Sequence, residues 1–283
     1  MPVDHEPEEG NGLRLLAHHD LNGFGNGGEG MALQVAPDGR RILYIAHESS
    51  PMDWTAVDVS DPASPAVVLQ TRLQHRQMRS NSLALVDDLL LVAYQTAKPG
   101  MGPAGVGLYD VRNPETPKPV SFFDTSGTHS RGAHFVWCVD GHYAHISTGS
   151  SDFEPNNPLD DQFYMIVDVS QPSRPVEAGR WWLPGTRQGD TEDPPLRHTT
   201  LDGGFRLHNA NVYPQRPNRA YLGYIDAGVI ILDITDVARP TLVSRVDHHP
   251  PFSGFTHTVL PLFERGLLVV TDEAITEDCS VLP

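Results

Sequence analysis

A short apolar run that ends in aspartate and leads into a proline turn recurs along the chain, and this repeat restricts the fold more than any other feature. Four copies are present, at residues 55–62, 107–114, 165–172 and 230–236. Their spacing of roughly 50 to 65 residues is typical of β-propeller blades with loop insertions. No segment carries apolar residues at i, i+3, i+4 and i+7 over the length of a helix, which excludes a helical solenoid.

Each copy of the repeat belongs to a unit of four predicted strands, because two apolar runs precede it and one follows it. The first runs lie at residues 31–35, 82–86, 134–139, 208–213 and 257–262, and the second runs at 42–46, 89–94, 143–147, 220–224 and 267–271. The sequence therefore predicts an all-β fold, a β-propeller of four-stranded blades with about five blades. The alternative is an incomplete part of a larger six- or seven-bladed propeller.

The two ends of the chain leave the closure of the ring open. We expect residues 1–12 to form an acidic tail, 13–273 the propeller domain and 274–283 a C-terminal tail. Residues 13–21 have the pattern of a fourth strand, which in propellers often completes the last blade and removes a free sheet edge. No third strand is predicted after residue 273, so either a three-stranded last blade closes a five-bladed ring or the propeller is shortened.

The repeat unit resembles the LVIVD repeat, most clearly at residues 166–170 and 229–234, and the resemblance covers residues 13–273. It implies a β-propeller, but it does not imply one chemistry, since members of this family differ and many have no assigned activity. Relatives of this type run on for further blades. The tail that ends in Cys279-Ser280-Val281-Leu282-Pro283 is thus compatible with a truncated or frame-shifted reading frame.

The charge balance and the absence of long apolar runs exclude several classes of partner. With 36 acidic against 20 basic residues the net charge is −16, which disfavours binding to nucleic acid and to anionic lipid. No apolar run is long enough to span a bilayer and no secretory signal is present, so we expect a cytoplasmic protein. Cys138 and Cys279 are too few for a disulfide framework, and neither is expected to be catalytic.

Three histidines occupy one register at the start of the first strand in consecutive units. They are His134, His208 and His257, and Asn81 or Ser82 takes this place in the second unit. The innermost strand of every propeller blade lines the central channel, so like positions in successive units converge in space. Three imidazoles on one axis predict a site for a divalent metal such as Zn²⁺, Mn²⁺ or Fe²⁺.

Carboxylates and guanidinium groups are expected near the same mouth of the channel. Asp226 and Glu273 follow second strands and are candidates for a general acid or base. Arg131 and Arg206 lie just ahead of the histidine register, where they would orient an anionic substrate. These residues together predict a metal-dependent hydrolase or lyase that acts on a small anionic molecule in the channel.

A non-catalytic propeller is the alternative, because channel histidines also hydrogen-bond to neighbouring blades and arginines also pair with surface acids. In that case the protein would bind a ligand or another protein without turnover. The repeated aspartates are interpreted as scaffold, since an Asp ahead of a proline turn caps local backbone N–H groups; they are Asp58, Asp110, Asp168 and Asp233. The substrate, the metal and the oligomeric state, including self-association, stay open at this point.

Overall fold

The computed structural model describes residues 12–249 and 254–273, which form successive antiparallel β-sheets joined by loops. Of the two predicted tails, 1–12 and 274–283, residues 1–11 and 274–283 lie outside the described residues. Within the described ranges, no helix is long and apolar enough to cross a membrane. The only helical elements there are three short 3-10 turns, at Leu21–Gly23, Pro158–Asp160 and Phe263–Arg265.

The chain supplies four blades of four strands each, in sequence order, and a bridge between the second strand of the first blade and the first strand of the second blade joins these two blades into one eight-stranded sheet. The first blade consists of β1 (Gly27–Val35), β2 (Arg41–His47), β3 (Met52–Asp58) and β4 (Ala66–Arg72), and the second of β5 (Met78–Val86), β6 (Leu89–Thr96), β7 (Gly105–Asp110) and β8 (Lys118–Asp124). A short pair, β9 (Ser126–Gly127) and β10 (Ser130–Arg131), precedes the third blade of β11 (Ala133–Cys138), β12 (Tyr143–Thr148), β13 (Phe163–Asp168) and β14 (Val176–Trp181). The fourth blade consists of β15 (Asn209–Tyr213), β16 (Arg216–Tyr224), β17 (Gly228–Asp233) and β18 (Thr241–Val246), and a hairpin of β19 (Thr256–Leu262) and β20 (Leu267–Asp272) follows it.

The end of a second strand pairs with the start of the next innermost strand at three of the junctions between sheets. His47 pairs with Ser80, Gln95 with Gly132, and Ile225 with Thr256. These single antiparallel bridges place the starts of β5, β11 and β19 at one end of the molecule. The arrangement is that of a β-propeller, as the repeat predicts.

The hydrophobic core consists of separate layers between neighbouring blades. The layer between the second and third blades includes Leu108, Ile146 and Met165, each at most 1% exposed. A second layer between the third and fourth blades contains Tyr224 and Leu232, which are fully buried. Burial of one such side chain stabilises the fold by roughly 1.5–3 kcal/mol, so each blade depends on its neighbours for its stability.

The repeated aspartates have the scaffold role that the sequence predicts. Each carboxylate accepts a hydrogen bond from the backbone N–H two residues later, at 2.8–3.0 Å. Side-chain hydrogen bonds from the residues two positions later, together with these backbone bonds, hold the pKa of each carboxyl below its usual value. The four residues are Asp58, Asp110, Asp168 and Asp233.

The prediction of a strand at residues 13–21 is wrong. Apart from a single bridge residue at Leu13, this segment is irregular until the turn at Leu21–Gly23, and Leu15 is 58% exposed. The pattern of alternating apolar residues is present, but a strand also requires a partner edge. The exposed strand β20 does not pair with it.

A glycine allows the second strand of the fourth blade to touch the first strand of the next sheet backbone to backbone. A Cβ on Gly223, in β16, would lie 2.1 Å from the backbone oxygen of His257, in β19.

We predict that Gly223→Ala lowers the free energy of unfolding by about 1–3 kcal/mol, because the hairpin must move away from the fourth blade. Chemical denaturation of both proteins measures the difference. The matched control is Gly27→Ala, whose Cβ would meet only Ile45 Cγ2 at 3.5 Å; equal stability of the two variants would contradict the prediction.

Candidate functional site

One position near the start of each innermost strand projects toward the propeller axis. In β5, for example, the register shifts between Ser80 and Ser82, so Asn81 is the extra residue of a β-bulge. Similar shifts occur at this position in β1, β11 and β19, and in the fourth blade the backbone N–H of the equivalent residue donates to the Gly223 oxygen. A bulge redirects a side chain out of the regular alternation. The five residues at this position are Glu29, Asn81, His134, His208 and His257.

The structure brings the three predicted imidazoles into contact. His134 Nε2 lies 3.0 Å from His208 Nε2, and the rings of His208 and His257 have centroids 3.9 Å apart. His134 and His208 are 6% and 4% exposed, so both are shielded from bulk water. Residues that are 74 and 49 positions apart in sequence thus share one small volume, because like strands of successive blades meet at the axis.

Glu29 completes this cluster, and sequence reasoning missed it. Its carboxylate oxygens lie 3.4 Å from His257 Nε2, 3.7 Å from His134 Nε2 and 3.9 Å from His208 Nε2. Asn81 Nδ2 donates to the same carboxylate at 3.0 Å. The only indication in the sequence was an acidic residue inside a glycine-rich run, Gly27-Gly28-Glu29-Gly30. Such a run predicts a turn, and it fits a strand only when the first strand extends through a β-bulge at Glu29.

The outer ring nitrogens of two of the histidines are held by side-chain oxygens. Gln95 Oε1 accepts hydrogen bonds from Arg79, which identifies it as the oxygen, and it lies 3.1 Å from His134 Nδ1. Asn209 Nδ2 donates to a threonine hydroxyl, so Asn209 Oδ1 is the atom 2.8 Å from His208 Nδ1. His208 Nδ1 therefore carries the proton, and its Nε2 directs a lone pair toward the axis. His134 Nδ1 also faces the donor Arg79 Nη2 at 3.4 Å, so His134 Nε2 donates to His208 Nε2 in one tautomer and offers a second lone pair in the other. The third ring has Thr258 Oγ1 at 2.6 Å from His257 Nδ1.

This donor set fits a divalent transition metal. Two Nε2 lone pairs that face each other at 3.0 Å repel unless a cation or proton lies between them. Metal–nitrogen bonds of about 2.0–2.1 Å place neighbouring ligands about 3.0–3.3 Å apart, close to the observed spacing. Glu29, His208 and His257 offer ligand atoms that all lie within 4.8 Å of one another. A histidine ligand whose Nδ1 donates to an oxygen is the usual arrangement at such metals.

The electrostatics keep His134 and His208 neutral and the Glu29 carboxylate ionised, as metal binding requires. Burial lowers the pKa of His134 well below its usual value, and burial lowers that of His208 to about 4. Burial alone would raise the pKa of Glu29, but contacts with His257, His208 and Asn81 outweigh it and lower the pKa.

Three arginines line a cavity of about 280 Å³ that opens above the imidazole cluster. Arg131 donates to Asp161 through Nε at 2.6 Å, whereas Arg206 approaches Asp161 only to 3.7 Å. Arg206 Nε is buried without a hydrogen-bond partner among the described residues. Arg79, which forms an ion pair with Glu48, has its pKa lowered by burial and by the other two guanidinium groups. The mouth of the cavity therefore holds a concentration of positive charge over the histidines.

The two predicted acid/base residues lie in different places. Glu273 lines the cavity, and its Oε2 is 3.6 Å from His208 Nε2. Asp226 does not line it; its Oδ2 accepts hydrogen bonds from the N–H groups of Gly203 and Gly204, at 2.7 and 3.0 Å. Burial raises the pKa of Asp226 to about 6. Asp226 thus holds the loop ahead of the fourth blade, and Glu273 is the carboxylate that reaches the imidazoles.

The family comparison identifies a repeat within the blades that carry this site. The LVIVD repeat model matches residues 43–71, 160–181 and 218–248. The chain is a β-propeller that carries LVIVD repeats. Each matched range of this LVIVD propeller contains one of the capping aspartates, Asp58, Asp168 or Asp233, and the copy around Asp110 falls outside the matched ranges.

Solved structures with the same fold are remote in sequence from the LVIVD propeller. A protein from Lactobacillus plantarum matches with a TM-score of 0.57 and 12% identity, over 84% of this chain and 62% of its own. A periplasmic gluconolactonase from Pseudomonas aeruginosa matches with a TM-score of 0.55 and 16% identity, over 84% of this chain and 63% of its own. The LVIVD propeller thus spans less than two thirds of the length of either structure. No curated protein sequence matches it.

The tautomer assigned above to His208 is directly measurable. We predict that long-range ¹H–¹⁵N spectra of the metal-free protein show His208 as a neutral ring protonated at Nδ1, because Asn209 Oδ1 accepts there. In Asn209→Ala this pattern of His208 is lost. A spectrum in which His208 is protonated at Nε2 in the unmodified protein would contradict the assignment.

Proposed function

We propose that the LVIVD propeller is a metal-dependent hydrolase that acts on a small anionic substrate in the axial cavity. The observation that carries the proposal is the convergence of three imidazole Nε2 atoms and the Glu29 carboxylate beneath a rim of three arginines. Buried, neutral, oriented imidazoles are the ligand form that borderline metals prefer. The guanidinium groups supply the complementary recognition of an anion.

The net charge of the site favours the binding of a metal cation first and of an anionic substrate second. The carboxylates Glu29, Glu48, Asp161 and Glu273 face the guanidinium groups Arg79, Arg131 and Arg206 around neutral histidines. Four negative charges against three positive charges leave a net charge of −1, which favours a metal cation. A bound divalent cation changes the balance to +1, which favours an anionic substrate.

Each residue then has a definable role. His134, His208, His257 and Glu29 would hold the metal, and a Zn²⁺, Mn²⁺ or Fe²⁺ ion there supplies Lewis-acid activation of water and of a carbonyl or phosphoryl oxygen. Arg206, with its unpaired Nε, would bind the anionic group of the substrate. Arg131, which is held by its hydrogen bond to Asp161, would fix the orientation of the substrate.

Glu273 would act as general base because it combines proximity with access to water. Its carboxylate is 3.6 Å from His208 Nε2, and its side chain is 39% exposed. A carboxylate at this distance from the metal ligands accepts a proton from an attacking water. Access to solvent supplies the water that hydrolysis consumes.

Metal binding is the first test. We predict that untagged protein binds one equivalent of Zn²⁺, Mn²⁺ or Fe²⁺, and that His208→Ala abolishes this binding while unfolding stays cooperative, because the blade cores do not include His208. Elemental analysis and isothermal titration measure the stoichiometry. His18→Ala, at an exposed histidine, is the control and should bind as the unmodified protein does. Protein that stays metal-free and thermally unchanged in all three metals would refute the proposal and favour the non-catalytic alternative.

Turnover is the second test, and it separates the two predicted acids. A panel of small carboxylated esters, lactones and phosphate esters is assayed with the metal-loaded protein; lactones are included because one protein of the same fold is a gluconolactonase. We predict that Glu273→Gln lowers kcat by about 10²–10⁴-fold with little change in metal affinity. Asp226→Asn should stay within about threefold of the unmodified enzyme, since an amide oxygen can accept the same two backbone bonds.

The opposite pattern, a loss of kcat in Asp226→Asn and none in Glu273→Gln, would assign the acid/base role to Asp226.

Arg206→Met should raise KM for anionic substrates by tenfold or more and leave KM for neutral analogues unaffected, because it removes a charge-assisted contact to the anion. Equal losses for anionic and neutral substrates would show that Arg206 is structural.

A further inference from the structure

A second cavity lies between the first and second blades, away from the axial cluster. It has a volume of about 260 Å³ and is lined by side chains of β3, β4, β6, β7 and β8 together with prolines of the connecting loops. None of the five axial residues lines it. Its walls are mainly apolar, which distinguishes it from the charged axial cavity.

Four aromatic rings form most of its wall. Trp54 and Tyr109 meet edge to face, with centroids 5.9 Å apart, and Tyr94 and Phe122 lie 6.0 Å apart. Gly107 makes this arrangement possible, since a Cβ there would lie 2.8 Å from Tyr94 and 2.9 Å from Tyr109. Aromatic faces grouped in this way attract cations through their quadrupoles.

One carboxylate, Asp53, lies among these rings and is only 7% exposed. Tyr94 Oη donates to Asp53 Oδ2 at 2.9 Å, and Tyr109 Oη donates in turn to Tyr94 Oη at 2.7 Å. Asp53 Oδ1 is buried and has no hydrogen-bond partner among the described residues. A buried, half-satisfied carboxylate is costly to keep ionised without a positive partner.

We propose that this interblade pocket binds a small organic cation, an alkyl- or arylammonium, whose nitrogen pairs with Asp53 and whose apolar body lies against Trp54, Tyr109 and Phe122. The volume is sufficient for one ring and a short chain. The ammonium N–H groups satisfy Asp53 Oδ1, and the net charge of −16 favours the approach of a cation. The site and its ligand are independent of the hydrolase proposed for the axial cavity.

The charged and titratable groups around the pocket agree with this assignment. Burial raises the pKa of Asp53 to about 7, and the hydrogen bond from Tyr94 opposes this rise. The one guanidinium in the wall, Arg72, is exposed at the end of β4, where solvent screens its charge. Burial also raises the pKa of Tyr109 to about 12, so that Tyr109 stays protonated near neutral pH.

The pocket should therefore bind its ligand more tightly at higher pH. Because Asp53 is protonated below a pKa of about 7 and ionised above it, binding of an ammonium should weaken roughly tenfold between pH 8 and pH 6. A neutral ligand of the same shape would show no such dependence.

Isothermal titration with three probes of one shape tests the proposal: benzylammonium, benzyl alcohol and benzoate. We expect benzylammonium to bind at one site, with affinity at least tenfold above that of the other two, and to shift the Trp54 indole N–H resonance. Asp53→Asn should weaken benzylammonium binding at least tenfold, because the amide keeps the shape but not the charge. Asp58→Asn, which removes the same charge from the solvent side of the same strand, should bind as the unmodified protein does.

Several outcomes would overturn the assignment. They are equal binding of benzyl alcohol and benzylammonium, preferred binding of benzoate, no binding of any probe at millimolar concentration, and benzylammonium binding that is unchanged between pH 6 and 8. The probe and pH comparisons use the unmodified protein, so they hold even if Asp53→Asn fails to fold.

Discussion

The close backbone contact between successive innermost strands is the constraint on which the rest of the structure depends. At Gly30 a Cβ would lie 2.2 Å from the Leu83 nitrogen of the next innermost strand, and Gly223, in the second strand β16, is as tightly placed against His257 in β19. Strands this close bring the residues at their bulges within a few ångströms of one another. The short distances between the imidazoles and Glu29 are therefore a consequence of the packing between blades, and not of any local motif in the sequence.

This packing explains which residues of the site the sequence predicts and which it misses. The repeated aspartate turn aligned the blades, and the alignment placed His134, His208 and His257 in one register, which the structure brings together. Glu29 occupies the equivalent position in the first blade. Its glycine neighbours prevent the sequence pattern from indicating a strand there, because glycine indicates a turn far more often than a bulge. The fourth candidate ligand, the Glu29 carboxylate, therefore becomes visible only in the structure.

The other differences also have physical causes. Residues 13–21 alternate as a strand does, yet pairing depends on an available edge, which no pattern within the segment reports. Asp226 and Glu273 both follow second strands, but β16 ends at Tyr224 and the chain turns, so that Asp226 binds Gly203 and Gly204 while Glu273 reaches His208. Two residues beyond a strand are enough to change which cavity a side chain enters.

The two cavities show how one architecture produces opposite chemistry. At the axis the bulges direct polar side chains inward, and their charges nearly cancel, so that a metal and then an anion are favoured in turn. Between blades the regular alternation of the strands presents aromatic rings, and Asp53 is the only carboxylate that they enclose among the residues lining that cavity. Because an ionised group in apolar surroundings needs a partner of opposite charge, Asp53 selects a cation where the axial arginines select an anion. The separation of the two sites by β5 and β6 allows each to be occupied without direct contact between the ligands.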